Sequence, residues 1–219
     1  MKRICIVLTL TALALGLCAC GSASQALGGN LSVAVEAEGV YSISYSAQLQ
    51  SGGGCYADNS ALTGGRFDFD LSGGTCTYTL SALDEEGHTL SSAEFEDDFS
   101  RGDVAYLVVT EDLEILRAQA TPEGLALMRR QETGDYTALL WDGRTYIPFC
   151  AVGNGARGRQ LGIVNGNEED QVYAYEGYAP EAWVVAYLDS GLMPEAILMR
   201  EVSVTDLPEG LKSEYPWNG

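Results

Sequence analysis

Few residues in this chain are equipped for chemistry. His88 is the only histidine, in the run Asp84-Glu85-Glu86-Gly87-His88. Acyl transfer by a serine or cysteine nucleophile needs a histidine base held by a third group, and no G-x-S-x-G elbow accompanies this one. A zinc site draws several ligands from His and Cys, which one histidine and a spare cysteine do not supply. His88 therefore reads as a solvated turn residue, and no metal is expected. Gly153-Asn154-Gly155-Ala156-Arg157-Gly158 has the G-x-G-x-x-G spacing, but a dinucleotide fingerprint needs a helix opening at the third glycine. The residues that follow, Arg159-Gln160-Leu161-Gly162-Ile163-Val164, carry a glycine and a β-branched pair that suit a strand. The segment reads as a strand-connecting loop, with no cofactor.

Carboxylates are abundant. Glu94-Phe95-Glu96-Asp97-Asp98-Phe99 and Glu168-Glu169-Asp170 are dense acidic runs, and a glycosidase needs two carboxyl groups flanking a sugar bond. Asn165-Gly166-Asn167-Glu168-Glu169-Asp170, with Glu176 at the twelfth place, has part of the EF-hand ligand spacing but lacks the glycine at position six. It reads as a solvated acidic turn. Arg144, Arg157 and Arg159 stand near Trp141 and Tyr146 in an otherwise acidic chain, and Arg with aromatic residues is the composition that binding patches favour. These residues, with Trp141, form the candidate binding surface; no catalytic residue is assigned.

The amino terminus gives the address. Met1-Lys2-Arg3 precedes an uncharged run from Ile4 to Leu17, the three-part pattern of an export signal, and that run is shorter than the roughly 20 residues that cross a bilayer. Leu17-Cys18-Ala19-Cys20 resembles the lipobox of bacterial lipoproteins. The resemblance implies cleavage before Cys20, lipid attachment at Cys20, and a chain held on the outer face of the cell membrane. Residues 1–19 are then the signal peptide and 20–30 a lipidated cysteine with a small-residue tether. In style the whole chain is similar to lipoproteins of Gram-positive gut bacteria.

Of the remaining cysteines, Cys55 and Cys76 lie beside glycine-rich turns, and a bridge between them would contribute about 3 kcal/mol by the chain-entropy argument. Cys150, in the apolar run Tyr146–Val152, reads as a buried thiol.

These groups must be positioned by strands. Leu31–Val35 and Val40–Tyr45 are rich in β-branched and aromatic residues, Phe67-Asp68-Phe69-Asp70 alternates strictly, and Thr75–Leu83 alternates after Gly73-Gly74. The chain is expected to be mostly β, with an N-terminal immunoglobulin- or fibronectin-like β-sandwich over residues 31–116. Residues 117–134 read as a linker, 135–207 as a smaller β-rich C-terminal domain, and 208–219 as a loosely ordered tail. In the second unit Asp142-Gly143 predicts a type I′ hairpin, and Glu181–Leu188 leans to strand. The hairpin phrase Trp141-Asp142-Gly143-Arg144-Thr145-Tyr146-Ile147-Pro148-Phe149 resembles the repeats of copper-amine-oxidase-like stalk domains, which bind no copper.

Charge narrows the partners. The formal net charge is −19, and loss of Lys2 and Arg3 with the signal peptide deepens it to about −21. Phosphate binding rests on Lys and Arg, so nucleic acid is excluded. The sequence thus points to a membrane-anchored extracytoplasmic lipoprotein that binds or scaffolds a surface protein or glycan. A carboxylate-dependent surface hydrolase such as a glycosidase is the alternative.

Overall fold

The computed structural model describes residues 30–59, 65–71, 73–188, 193–207 and 209–218. Cys20 and the signal peptide lie outside the described residues. The chain is mostly β, as its alternating patterns require.

Eight strands build the first half: β1 (Leu31–Val35), β2 (Ser42–Leu49), β3 (Gly54–Asn59), β4 (Arg66–Phe69), β5 (Thr75–Leu83), β6 (Thr89–Asp98), β7 (Ala105–Val109) and β8 (Ile115–Arg117). They form two four-stranded sheets, ordered β4-β1-β7-β8 and β3-β2-β5-β6. In β5 every second residue is buried, so Cys76, Tyr78, Leu80 and Ala82 face inward. Leu31, Val33, Phe67 and Leu107 of the first sheet join Ile43, Tyr45, Tyr78 and Leu80 of the second in one apolar cluster. Each fully buried Leu or Ile there contributes about 1.5–3 kcal/mol. Tyr45 meets Phe69 edge-on between the sheets, ring centroids 5.0 Å apart. β1 lies between β4 and β7, parallel to β7. It does not pair with β2, as the first two strands of an immunoglobulin constant domain do.

This strand order also corrects the disulfide expectation. β2 stands between β3 and β5, with Cys55 opposite Ala47 and Cys76 opposite Leu49. Two strand spacings amount to about 10 Å, whereas a bridge needs Cα atoms within about 7 Å. No disulfide occurs among the described residues. Shared turn context in the sequence carries no information about an intervening strand.

The second half is a closed barrel: β9 (Ala126–Glu132), β10 (Thr137–Trp141), β11 (Arg144–Val152), β12 (Arg157–Val164), β13 (Asn167–Tyr175), β14 (Trp183–Leu188) and β15 (Met193–Glu201), ordered β10-β11-β15-β14-β13-β12-β9. Every neighbouring pair is antiparallel except β9 with β12, the parallel seam that closes the ring. Gly162 sits on that seam, and a Cβ there would lie 2.3 Å from the Ala126 carbonyl oxygen. Met128, Leu139, Tyr146, Val164, Val172, Val184 and Met199 pack inside, as expected for a barrel narrow enough to be filled by its own side chains. Asp142 and Gly143 both have positive φ, 49° and 72°, the type I′ hairpin read from sequence.

Two boundaries differ from the sequence reading. Residues 126–132, assigned to a linker, are β9, without which the ring stays open. The terminal segment is docked. β10 covers only Arg144–Tyr146 of β11, leaving the next stretch of that edge bare. Glu214 fills it: its N–H donates to the Phe149 carbonyl at 2.9 Å, and its side chain accepts from the Ala151 N–H at 2.9 Å. Trp217 donates its indole N–H to the Pro148 carbonyl and stacks between Tyr136 and Tyr215. Covering a bare edge removes a site for unwanted strand pairing.

Candidate functional site: a cleft between sheet and barrel

The two halves meet through a network of buried polar groups. Asp103, in the loop between β6 and β7, accepts from Arg130 Nη2 on β9 at 3.1 Å and from the Asn165 side-chain amide at 2.9 Å. Arg130 Nη1 reaches Asp170 of β13 at 3.2 Å. The Arg130 and Asp170 side chains are 7% and 0% exposed, so this charge network is shielded from water. Asn165 returns the contact: its side-chain oxygen accepts from the Arg130 N–H, and its carbonyl from the Val104 N–H. Asn167 donates to the Arg101 carbonyl at 2.8 Å. Between these asparagines, Gly166 has φ of +69°, and a Cβ on it would lie 2.1 Å from the Val104 carbonyl oxygen. Only glycine lets the β12–β13 turn approach the sheet this closely.

A second network borders the same junction. Tyr78 donates to Asp97 at 2.6 Å, Arg117 pairs with Asp97 at 2.9 Å, and the Arg117 guanidinium lies 5.5 Å from the centre of the Phe95 ring. Burial, reinforced by the Asp97 charge, pushes the Tyr78 hydroxyl well above its ordinary range, so it remains a donor.

Between the networks opens a cleft of about 360 Å³, lined among others by Asp97, Asp98, Asp103, Arg117, Arg129 and Arg130. Its carboxylates are tuned apart. Burial raises the Asp103 pKa, outweighing the opposing bonds from Asn165 and Arg130. Bonds from the Ser100 side chain and backbone lower that of Asp98. Arg117 and Arg130 are engaged with acids, whereas Arg129, exposed on the cleft wall, forms no ion pair among the described residues.

Compared with known proteins, the chain matches no family model, no curated protein and no solved structure. Its own geometry must carry the functional reading.

The residues singled out in sequence are not gathered in one place. Arg144 is bound to Asp142 at 2.7 Å in the hairpin tip. Arg157 lies over the rings of Tyr173 and Tyr187, 5.4 and 4.6 Å from their centres. β11 and β12, which carry Arg144 and the Arg157–Arg159 pair, stand three strands apart in a seven-strand ring, the largest separation it allows. Trp141 stacks on Tyr146 and packs against the barrel core. The Asn165–Asp170 run is no solvated turn: Asn167 and Asp170 are buried and Asn165 is tied to Asp103 at the junction. Gly153–Gly158 holds a single 3-10 turn between β11 and β12, followed directly by strand. Cys150 is a buried free thiol whose pKa burial raises. The junction arginines escaped the sequence reading because Arg129 and Arg130 fell in the supposed linker. The available signal was Asn165-Gly166, a strong hairpin dipeptide that places Asn165 at a barrel end.

Proposed function

We propose that this chain is a membrane-anchored extracytoplasmic lipoprotein, attached through Cys20, that acts as a non-catalytic binding or scaffolding module at the cell surface. The first half is an immunoglobulin- or fibronectin-like sandwich with its own strand order, and it spaces the barrel from the tether. The partner is an acidic surface protein or glycan, recognised at the junction cleft.

One observation carries this reading: in the cleft Asp97 and Asp103 are bonded to Arg117 and Arg130, while the exposed Arg129 on its wall forms no ion pair among the described residues. A carboxylate bonded to a guanidinium is held in place and has little freedom to exchange protons with a substrate. An exposed guanidinium beside it offers a bidentate fork for a partner's carboxylate or phosphate. The filled barrel supports the same reading, since its interior is occupied by its own side chains. Arg129→Glu should abolish partner capture with an unchanged melting temperature; capture that survives the charge reversal contradicts the cleft assignment. For the address, labelled fatty acid should enter the wild type and not Cys20→Ser.

A carboxylate-dependent hydrolase is the second reading, favoured by the opposite shifts of Asp98 and Asp103 in one cleft, because environments that separate two carboxyl pKa values can divide acid and base roles. It requires measurable glycan cleavage that Asp98→Asn and Asp103→Asn each remove.

A further inference from the structure

The turn between β5 and β6 brings three metal-ligating side chains together. Asp84, Glu86 and His88 each offer a donor atom, and these atoms lie within 4.8 Å of one another. The backbone sets this convergence. Gly87, at φ +82°, turns the chain, the Asp84 N–H donates to the His88 carbonyl, and the His88 N–H donates to Asp84 Oδ1 at 2.7 Å. His88 Nδ1 stands 3.2 Å from Asp84 Oδ2. Two ligands about 2.0–2.1 Å from a tetrahedral zinc ion stand about 3.3 Å apart, so the His88–Asp84 spacing fits two corners of such a site. The His88 side chain is 78% exposed and Asp84 25%, which leaves the site open to solvent.

We propose that Asp84, Glu86 and His88 form a three-ligand surface site for a divalent transition-metal ion such as Zn²⁺. An imidazole with two carboxylates suits zinc, and it does not suit calcium, which takes six to eight oxygens. Three protein ligands leave a fourth position for water or a group from outside the chain. The site is separate from the junction cleft, and neither proposal depends on the other.

Because His88 is the only histidine, its imidazole signals report this site without interference from the other acidic runs. The full chain, free of an affinity tag and solubilised in detergent, is titrated with zinc chloride and followed by histidine side-chain NMR and by calorimetry. The expected result is a saturable shift of the imidazole signals at one equivalent of zinc. His88→Gln and Asp84→Asn should each weaken binding by at least about tenfold, and equal concentrations of calcium chloride should leave the imidazole signals in place. Asp84→Asn keeps an oxygen for the turn's backbone bond, so its loss of affinity reports ligation and not unfolding. Imidazole signals unmoved by zinc, or an undiminished affinity in His88→Gln, overturns the proposal.

Discussion

Arg130 on the first barrel strand holds Asp103 of the neighbouring sheet at 3.1 Å while reaching Asp170 inside the barrel wall at 3.2 Å. One guanidinium thus fixes the β6–β7 loop to two barrel strands. Removing one partner of a buried ion network leaves an uncompensated charge, which costs about 3–5 kcal/mol. Arg130→Met should lose stability of that order in urea unfolding at neutral pH. A loss below about 1 kcal/mol would mean that the junction holds by backbone contacts alone.

Acid should act on this network with a defined sign. Burial raises the folded-state pKa of Asp103, so the folded chain binds that proton more tightly than the unfolded chain. Ionised Asp103 costs stability above its folded pKa, and that cost disappears as pH falls toward the ordinary carboxylate value. Wild type should therefore gain on Asp103→Asn as pH drops from 7 toward about 4. Asp98 runs the other way: its lowered pKa gives stability that is present above the unfolded value and lost as pH falls through the folded one. Urea midpoints of both Asn variants against wild type over this range measure the two trends. A gap that fails to move for Asp103→Asn contradicts the buried-carboxylate account.

Gly166→Ala places a Cβ 2.1 Å from the Val104 carbonyl oxygen at a positive φ. Strain of this kind costs about 1–3 kcal/mol before any steric rearrangement. The expected outcome is a lowered melting temperature and faster exchange of the Val104 amide, whose hydrogen bond to the Asn165 carbonyl is broken. Unchanged protection at Val104 would show that the turn relaxes without parting from the sheet.

Trp217→Ala removes the middle ring of the Tyr136–Trp217–Tyr215 stack and the bond to Pro148. The terminal segment should detach and become more readily cut by protease, with a stability loss of about 2 kcal/mol. Equal protease resistance in the variant and wild type would mean that Glu214 alone retains the segment.

What the sequence made legible was local. The Phe67–Asp70 alternation, the Asp142-Gly143 turn and the Trp183–Leu188 strand are set by near neighbours, and each has the form that its residues dictate. What it hid was set by distant partners. β9 closes a barrel through a parallel seam with β12, some thirty-five residues away, and Arg129-Arg130 has no local pattern marking it as strand. The junction network was hidden for the same reason: Asp103, Arg130 and the Asn165–Asp170 run come from three separate segments. Arg144 is separated from Arg157 and Arg159 in the same way: residues close in sequence around a hairpin and a loop sit on β11 and β12, three strands apart in the ring.

The central claim, partner binding at the junction cleft, is tested most directly by site-specific photo-crosslinking in intact cells. A photoreactive residue at Gln119, which lines the cleft, should give a discrete crosslinked species that disappears when Arg129→Glu is added. The same residue at Glu85, in the exposed turn between β5 and β6, should give none of that species. A Gln119 crosslink that is absent, or that persists unchanged in the Arg129→Glu background, would contradict the account.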